Sequence, residues 1–139
     1  DRDGMSKAAR MLHHVYLLDE RALLHHRSTL TTVLDHTEDP SVLREVLKIL
    51  GSPLWSDTET DAQRVELLLL GMDLMYDTSL PLGIHYTAIQ LTSFRIVNKT
   101  ECASLKEAMM QLNSTVGQES LPLRQCAERW IARLDKKWN

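Results

Sequence analysis

Residues 38–53, EDPSVLREVLKILGSP, constrain the fold more than any other stretch of this chain. Asp39 before Pro40 supplies an N-cap and a first-turn proline, and Gly51 followed two residues later by Pro53 supplies a stop. Between them Val42, Leu43, Val46, Leu47 and Leu50 recur at three- and four-residue steps, so one face of a helix is apolar and needs a neighbour to cover it. The same grammar repeats along the chain. Ala8, Met11, Leu12, Val15, Leu18 and Ala22 mark an earlier helical stripe, continuing or restarting through Leu30, Val33 and Leu34.

The acidic stretch LWSDTETDAQ reads as a connection, and Thr60 with Gln63 fits a capping box opening DAQRVELLLLGMDLMYD. That helix is apolar nearly all round from Val65 to Met75, which predicts the most enclosed element of the fold. TSLPLG breaks the chain. IHYTAIQLTSFRIV is locally ambiguous: Ile84, Ala88 and Leu91 suit a helix, whereas Tyr86, Thr87, Phe94, Ile96 and Val97 favour a strand. An isolated strand would leave its backbone groups unpaired, so the segment reads as helix. Ser104 and Glu107 suggest another capping box, opening a helix through Leu105, Ala108, Met109 and Leu112. Pro122 starts a last helix carrying Leu123, Ala127, Trp130, Ile131, Leu134 and Trp138 on one stripe.

Only five glycines and four prolines interrupt 139 residues, so the elements between them are long. The expectation is all-α: a single domain over residues 1–139, a compact right-handed helical stack or bundle of five to seven helices, armadillo/HEAT-like in style. No fixed repeat period is readable.

The function classes narrow by elimination. No Gly-x-Ser-x-Gly elbow, clustered glycine loop or paired nucleophile and base occurs, so no catalytic residue and no enzymatic activity is assigned. His14 and His25 share a face but stand roughly 16 Å apart on a helix, too far for one ion, and His13-His14 and His25-His26 lack the i, i+4 spacing of helical zinc sites. No metal, cofactor or small-molecule substrate is expected. No apolar run reaches the ~18 residues of a membrane span. The net charge of −3 divides into −5 through Asn98, with nine Lys/Arg against fourteen Asp/Glu, and +2 after it, with seven against five. That bias is too small to predict direct nucleic-acid binding.

A protein or peptide partner remains. Arg129, Arg133, Lys136 and Lys137 flank the tryptophans of the last helix, roughly 125° round from its apolar stripe. With Lys106 they are the candidate partner-binding rim, suited to an acidic segment. The indoles themselves read mainly as anchors, with Trp130 the costlier to lose.

The closing segment LPLRQCAERWIARLDKKW resembles the last helix of the N-terminal (LW) domain of transcription elongation factor TFIIS, and VLREVLKILGSPLW and VELLLLGMDLMYDTSLPL are similar to successive helices of larger domains of that group. The resemblance spans about Leu30 to Trp138. It implies a nuclear, non-enzymatic scaffold that captures short disordered segments of transcription or chromatin factors between helices; on the residues alone the compartment is nuclear or cytoplasmic. Two other readings stay open. A secreted helical signalling protein would account for a start at Asp1-Arg2-Asp3-Gly4 without methionine, for the sequons at Asn98 and Asn113, and for a bridge between Cys102 and Cys126. A structural or oligomerisation fragment of a longer helical-repeat scaffold would account for the same start as an excised piece.

Overall fold

A computed structural model describes residues 7, 8, 10, 11 and 26–138. Among them there are seven α-helices and no strand, so the chain is all-α. Of the earliest stripe, Leu12, Val15, Leu18 and Ala22 lie outside the described residues, and Ala8 and Met11 are exposed. The chain divides into two compact units, Asp1–Thr58 and Glu59–Asn139.

In the first unit, α1 (Arg27–His36) buries Leu30 and Leu34, and α2 (Pro40–Leu50) buries Val42, Val46, Leu47, Ile49 and Leu50. Asp39 caps α2 as its sequence requires, with its carboxylate accepting from Ser41 N at 2.9 Å and Pro40 in the first turn. The stop falls where the sequence places it, with Gly51 as the C-cap. Gly51 has φ −74°, in the right-handed region, so no left-handed glycine ends α2. The chain turns at Ser52, held extended (φ −68°, ψ 141°) by the proline that follows it. Pro53 then opens the short α3 (Pro53–Asp57), whose Trp55 is fully buried. The Arg27 guanidinium lies 4.9 Å from the centre of that indole and donates to Trp55 O at 3.3 Å and to Thr58 Oγ1, fastening α1 to α3.

The second unit contains α4 (Asp61–Tyr76), α5 (Leu82–Ser93), α6 (Lys99–Ser114), a single 3₁₀ turn (Val116–Gln118) and α7 (Leu121–Trp138). The capping box at α4 is complete: Gln63 N donates to Thr60 Oγ1 at 3.2 Å, and Thr60 N donates to Gln63 Oε1 at 2.9 Å. The enclosed helix, however, is α5 and not α4. Seven of the twelve residues of α5 are buried, from Ile84 to Thr92, whereas α4 buries Leu67, Leu68, Gly71 and Met75 and leaves Leu69 and Tyr76 about half exposed. Hydrophobicity all round α4 therefore does not mean enclosure all round.

How α5 accommodates strand-prone residues is visible in its side-chain bonds. The hydroxyls of Thr87, Thr92 and Ser93 donate to the carbonyls of Gly83, Ala88 and Ile89, four residues back, so each is satisfied inside the helix that buries it. Gly71 allows α4 to approach this surface, because a β-carbon there would overlap Thr92 Cγ2.

The start of α6 also departs from expectation. Its N-cap is Asn98, whose Oδ1 accepts from Glu101 N at 2.8 Å, and Ser104 and Glu107 lie within the helix, exposed. The cap therefore lies six residues before the expected Ser104, at the residue adjoining the break after α5. Ser120 opens α7, its Oγ accepting from Leu123 N at 3.3 Å. The core of this unit joins Leu68 and Met75 of α4, Ala88 and Ile89 of α5, Cys102, Leu105, Ala108, Met109 and Leu112 of α6, and Leu123, Ala127 and Leu134 of α7. Each fully buried Leu or Met here contributes about 1.5–3 kcal/mol over the exposed side chain. Among the described residues no helix is long and apolar enough to cross a membrane.

Candidate functional site

Two clusters of charge occupy the second unit, and they differ in kind. The first lies where the ends of α4, α5 and α6 meet. Arg95, just past α5, is fully buried and pairs with the equally buried carboxylate of Glu59; its Nε lies 3.1 Å from both carboxylate oxygens and its Nη2 also reaches Oε1. Arg95 Nη1 donates to Leu91 O at 2.8 Å, completing the C-terminal turn of α5. Beside it Arg64 Nη1 donates to Glu101 Oε1 at 2.9 Å and to Arg95 O at 2.7 Å, while Arg64 Nη2 stands 3.0 Å from Asp61. The hydrogen bond to Glu101 raises the Arg64 guanidinium further above its already high value. Glu101 accepts from Val97 N as well. Paired and enclosed, this junction is built to hold three helix ends together.

The second cluster is open. Trp130, Ile131 and Trp138 of α7 are half-buried and pack against the core, so the indoles are anchors, as their stripe predicts. Both indoles also carry cations. The Arg133 guanidinium lies 4.8 Å from the Trp130 ring centre, and Lys137 Nζ lies 5.4 Å from that of Trp138. Phe94 meets Trp130 edge to face, with centroids 5.5 Å apart and planes at 80°, yet remains 43% exposed. Val97, three residues on from Phe94, is 53% exposed.

The proposed rim residues separate into three groups. Arg133 and Lys137 lie on indoles. Arg129 and Lys136 stand in solvent on α7. Lys106, on α6, pairs with Asp135 of α7, and that hydrogen bond holds its ammonium above the usual lysine range. Lys106 therefore ties α6 to α7, a structural engagement that the other four do not share. Sequence reading missed Phe94, noticed only for its strand propensity. An aromatic residue between the end of one helix and the Asn98 cap of the next was the available signal, but its partner lies 36 positions away.

Among the described residues no group of three or more His, Cys, Asp or Glu side chains could hold a metal ion. His13, His14 and His25 lie outside those residues, His26 and His36 are exposed, and His85 is buried with Nε2 2.9 Å from Asp77 O. Cys102 and Cys126 are both free thiols, the first buried and the second half-buried. Asn113 is half-buried, its amide nitrogen 3.4 Å from Arg124 O. An open depression of about 370 Å3 is lined by Thr78, Thr115, Val116 and Glu119. No protein family, curated protein or solved structure matches this chain.

Proposed function

We propose that the chain is a non-enzymatic protein-interaction module that binds short segments of partner proteins along the outer flank of α7. The observation that carries this reading is the Phe94–Trp130–Arg133 ledge, where a T-shaped aromatic pair and a stacked guanidinium stand partly open to water. Tryptophan and arginine are the residues most often found to dominate binding energy at protein interfaces, and a ring already fixed by its core contacts loses little conformational freedom when a partner covers it. The chemistry selects a segment that joins an apolar side chain, to cover Phe94 and Val97, with a carboxylate, to meet Arg133 and Arg129. The likeness of the closing helix to LW domains supports seeking those partners among transcription and chromatin factors.

Fluorescence polarisation with a set of short acidic–apolar peptides tests the reading. A binding peptide loses roughly tenfold or more in affinity to the Arg129→Glu/Arg133→Glu variant, at unchanged helicity, and weakens as salt is raised. Affinity unchanged by that double reversal removes the α7 flank from the site.

A further inference from the structure

Helices α4 and α7 each carry a second exposed stripe, on the side away from the core. On α4 it is Ala62, Glu66, Leu69, Asp73 and Tyr76, all exposed, with Leu69 at 53% and Tyr76 at 49%. Their spacing is four, three, four, three, the alternation that keeps a straight seam on a helix facing another helix. The buried residues Leu67, Gly71 and Met75 lie on the opposite side, roughly 180° round at 100° per residue. On α7 the exposed residues Gln125, Arg129, Ala132 and Lys136 repeat the same spacing, opposite the buried Leu123, Ala127 and Leu134.

The two seams are complementary position by position. Glu66 and Asp73 are seven residues apart, as are Arg129 and Lys136, so both charge pairs span about 10.5 Å along their helices. Between the acids stands the large Leu69, and between the bases the small Ala132. Laid parallel, the seams form four layers: Ala62 with Gln125, Glu66 with Arg129, Leu69 over Ala132, and Asp73 with Lys136. None of these four charged side chains makes an ion pair or side-chain hydrogen bond among the described residues, in contrast to Lys106 and Asp135 one helix face away. Within one chain each seam faces outward, so α4 of one molecule is free to meet α7 of another.

We propose that this chain self-associates, the α4 seam of one copy docking on the α7 seam of a second. The contact is heterologous, joining two different surfaces, so each copy offers one seam of each kind. It uses the outermost stripe of α7, whereas the peptide ledge uses the flank bearing Trp130 and Arg133, so the two surfaces share only Arg129. Self-association therefore stands whether or not the ledge binds peptides.

Charge reversal on either side is the test, because a swapped pair is self-repelling yet complementary to the opposite swap. Sedimentation of the full chain shows concentration-dependent association for the wild type. Glu66→Lys/Asp73→Lys alone and Arg129→Glu/Lys136→Glu alone each associate roughly tenfold more weakly, while their equimolar mixture recovers association, since each variant's altered seam then meets an opposite charge on the other. All four positions are exposed, and circular dichroism confirms that each variant remains helical. A wild type that stays monomeric at its highest soluble concentration overturns the proposal, and so does association unchanged by the α4 reversal, or a mixture no stronger than its components. Peptide binding by the Glu66→Lys/Asp73→Lys variant reads the ledge separately, because that variant leaves α7 untouched.

Discussion

Arg95 and Arg133 bear the same guanidinium and put it to opposite uses. Arg95 is sealed from water, so its charge must be met by protein, and Glu59 meets it with both carboxylate oxygens. Arg133 keeps its charge in water and lays its flat face on Trp130. In the enclosed junction the low dielectric makes pairing obligatory and any missing partner costly. On the open ledge the ring immobilises the cation without neutralising it, leaving it available to an incoming carboxylate. Burial thus distinguishes a charge that holds the fold from one that can recognise something else.

The largest effect should come from breaking the enclosed side. Glu59→Ala leaves Arg95 buried without its carboxylate and should cost about 3–5 kcal/mol of stability, read as a lowered urea midpoint. Replacing both partners together, as Glu59→Leu with Arg95→Met, should recover part of that loss, since the two buried charges then leave together. A double variant as unstable as Glu59→Ala would mean that the junction depends on the ions themselves.

On the open side, Trp130→Ala removes a half-buried indole. Full burial of such a ring is worth about 3–5 kcal/mol, so a loss of about 2 kcal/mol is expected by the same denaturation. A loss as large as that of Glu59→Ala would erase the distinction between the two regions. Smaller still, Arg133→Ala should change stability by no more than about 1 kcal/mol, the value of an exposed cation on a ring, while weakening the peptide binding proposed for the ledge.

Lys106 sharpens the comparison at its weakest point. Its pairing with Asp135 raises the ammonium above the ordinary value of 10.5. The contribution of a group raised on folding is fully present below that ordinary value and is lost as pH climbs through the raised one. Carbon NMR at Lys106 Cε should therefore titrate above 10.5, and Asp135→Asn should bring it back. A lysine indifferent to Asp135 would place Lys106 with the solvent-facing cations of α7.

Much of the secondary structure was legible because its signals act within a few residues. Asp39 and Thr60 cap their helices where the spacing places them, and the α7 stripe faces inward from Leu123 to Leu134. The failures share one cause. Ser104 and Glu107 satisfy a capping pattern as well as Asn98 and Glu101 do, and only the position of the break after α5 selects between them. The α4 sequence LLLLGM suggests enclosure, but nothing local says which helices will cover it. For the candidate site, Arg129, Arg133, Lys136 and Lys137 could be found as neighbours on a helical wheel, whereas Phe94 could not, nor could the engagement of Lys106 by a residue 29 positions on.

Sequence by itself settled that this chain is helical and where most of its helices begin, because caps, prolines and apolar periodicity are satisfied by hydrogen bonds and steric limits inside a single turn. Tertiary structure decided which helix is enclosed, which arginine is sealed against Glu59 and which lies open on an indole. Those outcomes depend on residues brought together across 36 positions of chain, where burial and the local dielectric are set by packing and have no local sequence signal.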